Sequence, residues 1–338
     1  MKRILHFCFM VLISNVMLAY DVDVDGIFYN LFPETMTAEV APKSDDQPAE
    51  RLYKGNMTIP DTMYCNATAY RVVGVGPSAF VNCEDLLHIE LPKGLQYVAD
   101  KAFMNCTKLQ HIILPDSVVR VGEKAFFNCQ QLTALMLPDT IFEIGNEAFA
   151  KCYKLTSLAI PKNVCKIGIN AFCDCNLSLV AVHPDNKVYC SRRNCDAIIE
   201  RESQTLIVGS INTRIPDSVA TIGYGAFAYC TGPENLFIPR CVTKIEDNAF
   251  YGCNYMKSLK LSSTLQSIGA QAFANCTDIK EISCRAEVPP VCGENAFKNV
   301  NKKAKLSVPI QSIEAYKNAD GWRDFEEIVA LPTKATKK

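Results

Sequence analysis

The sequence has little excess charge of either sign and few histidines or tryptophans. Lys and Arg number 35 against 36 Asp and Glu, with four His and one Trp in 338 residues. Such a near-neutral chain lacks the electrostatic footprint of a nucleic-acid-binding protein. A hydrophobic content of 49% allows a large core and excludes extended disorder.

The sequence also lacks the motifs of common enzymes. It contains no nucleophile elbow, phosphate loop or zinc-protease helix. His88 and His111 occupy the same outward strand position in consecutive repeats, but two ligands do not make a metal site. Cys173 and Cys175 form only Cys-x-Cys, without a matching histidine pair. We therefore name no catalytic residue, metal or cofactor, and we expect a binding protein rather than an enzyme.

Only one long apolar run occurs, and it lies at the N-terminus. Lys2 and Arg3 precede the run 4–18, and Ala19 follows it, which is typical of a secretory signal peptide at residues 1–19. A buried strand or an uncleaved anchor is the alternative, because Met17 is unfavourable two positions before the cut. Without residues 1–19, 33 basic and 36 acidic residues leave a net charge of −3. We expect a secreted or cell-surface protein with no membrane span in the mature chain.

The dipeptide Ala-Phe recurs at a fixed spacing through most of the chain. Its phenylalanines lie 23 residues apart within two series, apart from a last step of 24. They are Phe80, Phe103, Phe126, Phe149 and Phe172, followed by Phe227, Phe250, Phe273 and Phe297. This period lies in the range of leucine-rich repeats. It predicts a leucine-rich-repeat solenoid, mainly β, with a short parallel strand in each 23-residue coil.

One repeat, residues 109–129, illustrates the physical pattern. Ile112 and Leu114 alternate with an outward-facing Ile113, which predicts a short strand. Pro115 ends the strand because it cannot donate a ladder hydrogen bond. Gly122 recurs in phase in other repeats and marks a bend that a side chain would hinder. Each coil exposes an apolar side to the next, so stability is expected to come from stacking.

Seventeen cysteines in an exported chain first suggest disulfides. Eight of them, however, follow an Ala-Phe phenylalanine by three residues: Cys83, Cys106, Cys129, Cys152, Cys175, Cys230, Cys253 and Cys276. This phase faces the interior, where a free thiol acts as a small apolar group. We predict a ladder of buried thiols at these positions. The other eight after residue 19 leave disulfides open: Cys65, Cys165, Cys173, Cys190, Cys195, Cys241, Cys284 and Cys292.

The repeat is interrupted once, between Phe172 and Phe227, which lie 55 residues apart instead of 46. Residues 197–199 and 205–208 have the composition of two strands joined by a polar turn, 200–204. They predict an inserted hairpin, at about 184–212, that projects from one edge.

The two ends of the chain lack the period. We expect an N-terminal β cap at 20–70, repeats over 71–300, a C-terminal cap at 301–332 and a tail at 333–338. Within the C-terminal cap, residues 310–318 predict a short helix and Trp322 a partly buried indole that covers the last coil.

The repeat unit, Leu-x-x-Ile-x-Leu-Pro-x-x-Val-x-x-Ile-Gly-x-x-Ala-Phe-x-x-Cys, resembles the BspA-like leucine-rich repeats of surface and secreted proteins from gut and oral anaerobic bacteria. Segments 24–29, 194–200 and 315–322 are similar to that family's mature start, hairpin insert and closing segment. Ala99 and Glu246 depart from the pattern at the bend glycine. The resemblance implies a cell-surface or secreted binding protein, with adhesion to host matrix proteins among some members.

Outward strand positions are the candidate ligand-binding residues. Before the interruption they form an apolar column flanked by polar residues: Ile113, Met136 and Ala159, beside Gln110, Thr133 and His111. After it the same positions, which include Phe237, Ser258 and Lys260, become largely charged or polar. We expect a protein or glycan partner, such as a host matrix or cell-surface protein, on the concave face of the solenoid. A periplasmic or envelope scaffold without a host ligand is the alternative, and scattered surface apolar residues are also common.

Overall fold

A computed structural model describes residues 20–43 and 53–332 of the chain. The predicted signal peptide, 1–19, and the tail, 333–338, lie outside the described residues. The repeats form a solenoid in which each regular coil contributes one strand to a front row and one to a back row.

Antiparallel strands precede the first regular coil. These strands are β1 (Val22–Val24), β2 (Ile27–Phe32), β3 (Thr37–Val40), β5 (Thr62–Cys65) and β6 (Thr68–Val75). Strands β1, β2 and β3 pair antiparallel in sequence, and β5 pairs antiparallel with β6. Strand β3 then pairs parallel with β6, and this pairing connects the N-terminal strands to the back row.

The front row consists of parallel strands three to five residues long. They are β4 (Gly55–Thr58), β7 (Leu86–Glu90), β9 (His111–Ile113), β11 (Ala134–Met136), β13 (Ser157–Ile160), β15 (Leu179–Val182), β20 (Asn235–Phe237), β22 (Ser258–Leu261), β24 (Glu281–Cys284), β26 (Lys305–Val308) and β27 (Ile328–Ala330). Strand β9 ends just before Leu114 and Pro115, as the proline predicts.

In the regular coils the back row consists of strands of only two residues, which the sequence does not indicate. They are β8 (Tyr97–Val98), β10 (Arg120–Val121), β12 (Glu143–Ile144), β14 (Lys166–Ile167), β19 (Thr221–Ile222), β21 (Lys244–Ile245), β23 (Ser267–Ile268) and β25 (Val291–Cys292). Their second residue is mostly buried, as at Val121 and Ile144. Two residues are too few to show an alternating pattern in a sequence.

The core is built around stacked phenylalanine rings. From Phe80 to Phe172 the ring centroids lie 5.0 to 5.4 Å apart and the planes are within 8° of parallel. A second stack runs from Phe227 to Phe297. Aromatic rings cover the outer ends of both stacks, with Tyr53 on Phe80 and Trp322 on Phe297. Trp322 is completely buried, so the sequence-based expectation of a partly buried indole was too weak.

The insert contributes three strands to the back row. They are β16 (Tyr189–Cys190), β17 (Ile198–Glu200) and β18 (Thr205–Val208), with a 3-10 turn at Arg192–Asn194. Strands β17 and β18 pair antiparallel, and β18 pairs parallel with β19 of the next coil. Ala220 N also donates to Gln204 O, at the hairpin turn. The predicted hairpin is confirmed, but it does not project from the edge, because neighbouring coils hydrogen-bond it into the sheet.

The chain beyond the last Ala-Phe turn contains a short helical segment. A 3-10 turn at Ile310–Ser312 continues into α1 (Ile313–Asn318), in agreement with the predicted helix. Tyr316 on α1 is buried and donates from its hydroxyl to Ala286 O at 2.9 Å. The indole Nε1 of Trp322 donates to Pro290 O at 2.9 Å. These two hydrogen bonds fix the helical segment and the indole against the preceding coils.

Candidate functional site

Alternate residues of each front strand point away from the core, and the strand register aligns them. In β9, Ile112 is buried, whereas His111 and Ile113 are exposed. Strands β9 and β11 pair so that Ala134 lies beside His111 and Met136 beside Ile113. The structure therefore brings Ile113 and Met136 together on the solvent side of the sheet.

Large apolar side chains are exposed at the centre of this face. Ile113 is 68% and Met136 73% exposed, and Ala159 of β13 is also exposed. Strand β15 adds Leu179, which pairs with Ser157 and is 58% exposed. We call Ile113, Met136, Ala159 and Leu179 the apolar patch.

A fixed 23-residue spacing does not predict that Leu179 lies on the exposed face. Leu155 follows Cys152 by three residues, whereas Leu177 follows Cys175 by only two. This one-residue shortening moves Leu179 to the position opposite Ser157. The position of Leu179 could therefore be predicted from the sequence, because the link after Cys175 is one residue shorter than in the other coils.

Polar side chains flank the apolar patch on its N-terminal side. Thr133 Oγ1 donates to Gln110 O at 3.3 Å and lies 3.4 Å from His111 Nδ1. His111 pairs in register with His88 of the preceding coil, as the repeat predicts. These groups give the border of the patch hydrogen-bonding capacity without a fixed charge of one sign.

The front face beyond the insert is more polar, and one residue there departs from expectation. Phe237 is 61% exposed and pairs in register with Lys260. Lys257 forms an ion pair with Glu234 at 2.8 Å. Ser258, expected to face solvent, is buried, because it lies against Asn235 and donates to its Oδ1 at 2.6 Å. Phe237 and Lys260 do not join the apolar patch, since the insert separates the two halves of the row.

The predicted ladder thiols are buried. Six of the eight Sγ atoms donate to the carbonyl oxygen of a phenylalanine 26 residues earlier, at 3.1 Å for Cys106 and 3.2 Å for Cys129. Burial raises the pKa of both thiols well above its ordinary value. All sixteen cysteines of the described part of the chain are free thiols. The ladder cysteines therefore act as packing groups and weak donors rather than as nucleophiles.

Residues 20–43 and 53–332 contain neither a metal-ligand group nor a membrane-spanning helix. Within these ranges no group of three or more His, Cys, Asp or Glu side chains is placed to hold a metal ion. No helix in the same ranges has the length and apolar character needed to cross a bilayer.

Short parallel strands, stacked phenylalanines and a 23-residue period define the chain as a leucine-rich-repeat solenoid. The family model of the BspA type leucine-rich repeat region matches residues 74–192 and 209–319, in six copies. The chain therefore belongs to the BspA type leucine-rich repeat family. No curated protein matches it.

Solved structures from several bacteria share the fold. A leucine-rich cell surface protein from Faecalibacterium prausnitzii is 20% identical, with a TM-score of 0.60 over 93% of this chain and 95% of that one. A leucine-rich repeat protein from Bacteroides ovatus is 25% identical, with a TM-score of 0.58 over 88% and 80%. The pneumococcal vaccine antigen PcpA is 17% identical, with a TM-score of 0.64 over 94% and 100%.

Proposed function

We propose that the chain is a secreted or cell-surface binding protein, of the adhesin type, whose apolar patch docks a protein partner. The observation that carries the proposal is the exposure of Ile113 and Met136, 68% and 73%, side by side on paired strands. Contiguous exposed apolar side chains on a soluble protein mark interaction sites more often than single ones do. Leu179 and Ala159 extend the patch, so that it covers four consecutive coils.

The half of the front face beyond the insert carries charged groups. Lys260 is exposed in the column that continues from Phe237, and Lys257 pairs with Glu234 beside it. Charged groups at the border of an interface steer association and fix orientation more than they add affinity. A partner that spans both halves would therefore bind more slowly at high salt.

The location at the cell surface is part of the proposal and has two supports. A Faecalibacterium prausnitzii protein described as a leucine rich cell surface protein shares the fold over most of both chains. The run 4–18, preceded by Lys2 and Arg3, has the composition of an export signal. Protease treatment of intact cells tests this directly. Digestion supports surface exposure, whereas a protected pool supports an envelope scaffold.

The binding site is tested with a double variant, Ile113→Asp with Met136→Asp. Partners are first captured with the chain from host and bacterial extracts, and affinity is then measured by surface plasmon resonance. We expect at least about a tenfold loss, because residues central to an interface contribute more than 1 kcal/mol each. The fold is expected to persist, since both side chains point into solvent.

A matched control lies beside the back row, at the residues that directly precede β10 and β12. Val119 and Phe142 are also exposed apolar residues of consecutive coils, joined by the hydrogen bond from Phe142 N to Val119 O at 2.9 Å. The double variant Val119→Asp with Phe142→Asp introduces the same charge on the other side of the solenoid. Equal loss in both double variants, or normal binding by the front-row variant, would remove the apolar patch as the site.

A further inference from the structure

A column of residues along one turn edge of the solenoid carries the left-handed backbone conformation. It comprises the residue two positions after each Ala-Phe phenylalanine, with φ close to +60° throughout. At both ends of the array this residue is asparagine, which tolerates the conformation. Asn105 Nδ2 donates to Asn82 Oδ1 at 2.8 Å, and Asn299 Nδ2 to Asn275 Oδ1 at 2.7 Å. The asparagines thus form a structural ladder between coils.

Four central coils replace the asparagine with other residues. The column there reads Lys151, Asp174, Tyr229 and Gly252, with φ of 63°, 59°, 60° and 71°. A left-handed conformation costs a residue such as tyrosine roughly 1 to 2 kcal/mol more than glycine. We call the cluster formed by Lys151, Tyr153, Asp174, Tyr229 and Tyr251 the turn-edge cluster.

The neighbouring coil is shaped to receive the ring of Tyr229. A side chain at Gly252 would place its Cβ 2.8 Å from Tyr229 Cδ1, so only glycine leaves room for the ring. Tyr251 packs edge-on against the same ring, with centroids 5.4 Å apart. Tyr229 nevertheless remains 46% exposed. The protein therefore holds an aromatic ring in a fixed position at the surface, where the column of asparagines would otherwise continue.

Polar groups surround this ring. Cys173 Sγ donates to Ala228 O at 3.8 Å, so Asp174 and Tyr229 follow two residues that are in contact across neighbouring coils. Burial raises the pKa of Tyr229, and Tyr251, Cys173 and Asp174 raise it further. Burial also raises the pKa of Asp174, whereas Lys151 and the Tyr153 hydroxyl act on it in the opposite direction. Tyr153 is itself exposed. Lys151 and Asp174 offset each other, so the turn-edge cluster combines hydrogen-bonding groups with no net charge.

We propose that the turn-edge cluster is a second binding site and that its ligand is a neutral pyranose sugar at the end of a glycan chain. A pyranose presents a face of C–H groups, which stacks on an aromatic ring, and a rim of hydroxyls. The ring of Tyr229 supplies the first contact, and Asp174, Lys151 and Tyr153 supply acceptors and donors for the second. Tyrosine suits such a role because it has an apolar body and a polar tip. Large aliphatic side chains, which dominate the apolar patch, are not part of this cluster.

The site is tested with substitutions that the backbone tolerates. Tyr229→Asn restores the residue that occupies this position elsewhere in the column, so the melting temperature is expected to stay within about 3 °C. Asp174→Asn removes the carboxylate and keeps a residue that tolerates the left-handed conformation. Tyr64→Ala removes an exposed tyrosine from strand β5 and is the matched control.

The probe is an immobilised panel of oligosaccharides that end in neutral galactose, glucose or mannose, with sialylated and sulfated forms alongside. We expect the full chain and Tyr64→Ala to bind one or more neutral members, and both turn-edge variants to bind them at least about tenfold more weakly. Absence of neutral-glycan binding, a preference for acidic forms, or unchanged binding by Tyr229→Asn overturns the proposal. The front-row double variant is expected to keep glycan binding, so this site and the apolar patch fail or succeed separately.

Discussion

The thiol of Cys129 lies 3.2 Å from the carbonyl oxygen of Phe103, in the preceding coil. The same carbonyl also accepts a hydrogen bond from Cys106 N at 3.1 Å, so it has two partners inside the core. The contact recurs at Cys152 and Cys253. The ladder cysteine is thus both a small apolar filler and the donor that satisfies a buried carbonyl between coils.

Replacing Cys129 with serine tests this double role. A hydroxyl at the same position finds the Phe103 carbonyl as an acceptor, so Cys129→Ser is expected to cost about 1 kcal/mol, the lower end of the range for burying a polar group. Cys129→Ala keeps the apolar character but removes the donor and is the matched variant. Urea unfolding of both gives the comparison. A loss of 3 kcal/mol or more in the serine variant, a size that marks an unsatisfied buried hydroxyl, would contradict the donor role.

The buried thiols also predict a loss of stability at alkaline pH. Burial raises the pKa of Cys230 from 9.0 to about 11. The unfolded chain therefore releases this proton at a lower pH than the folded chain does. The stabilisation is complete below pH 9 and is lost as the pH rises towards about 11, at roughly 1.4 kcal/mol per pH unit for each such thiol. Urea unfolding midpoints between pH 8 and pH 10.5 are expected to fall accordingly, and Cys230→Ala is expected to fall less steeply. Parallel curves for the two proteins would argue against this assignment.

The bend glycines predict a sharp difference between two alanine substitutions. A Cβ at Gly145 would lie 2.5 Å from Glu123 N and from Gly122 C, both backbone atoms of the preceding coil. Gly145→Ala is therefore expected to cost about 2 to 4 kcal/mol, because the coils would have to separate. Gly94→Ala meets nothing within 4 Å and is the matched control. Thermal denaturation of the two variants measures the difference, and equal melting temperatures would show that the coils can shift freely.

Much of the fold can be predicted from the sequence because the period fixes the phase of every coil. Ile112, Phe126 and Cys129 are buried where the repeat places them, since stacking leaves those positions no access to water. The back row could not be predicted, because strands such as Arg120–Val121 are held by hydrogen bonds from neighbouring coils rather than by their own pattern.

The candidate sites are harder to predict, because they depend on contacts between coils. Ile113 and Met136 follow from alternation within a strand. Leu179 depends on a shortened link, and the burial of Ser258 depends on the length of Asn235 one coil earlier. The setting of Tyr229 depends on Gly252 in the next coil. The contacts of Ser258 with Asn235 and of Tyr229 with Gly252 are not visible in the periodicity, since each requires knowing which side chains of neighbouring coils meet.

The ring stack stops at Phe172 and resumes at Phe227, and Gly209 lies directly against the ring of Phe227. Gly209 N donates a hydrogen bond to Ala226 O. In the regular coils the phenylalanine N donates to the corresponding carbonyl of the next coil, so Gly209 occupies the place that Phe172 N would have. The apolar core correspondingly divides into two clusters that meet at the insert. The stacked rings therefore do not continue through the insert, where the strand pairs β17–β18 and β18–β19 join the two halves. Under a tensile load along the chain, resistance at this point would come from backbone hydrogen bonds rather than from ring stacking.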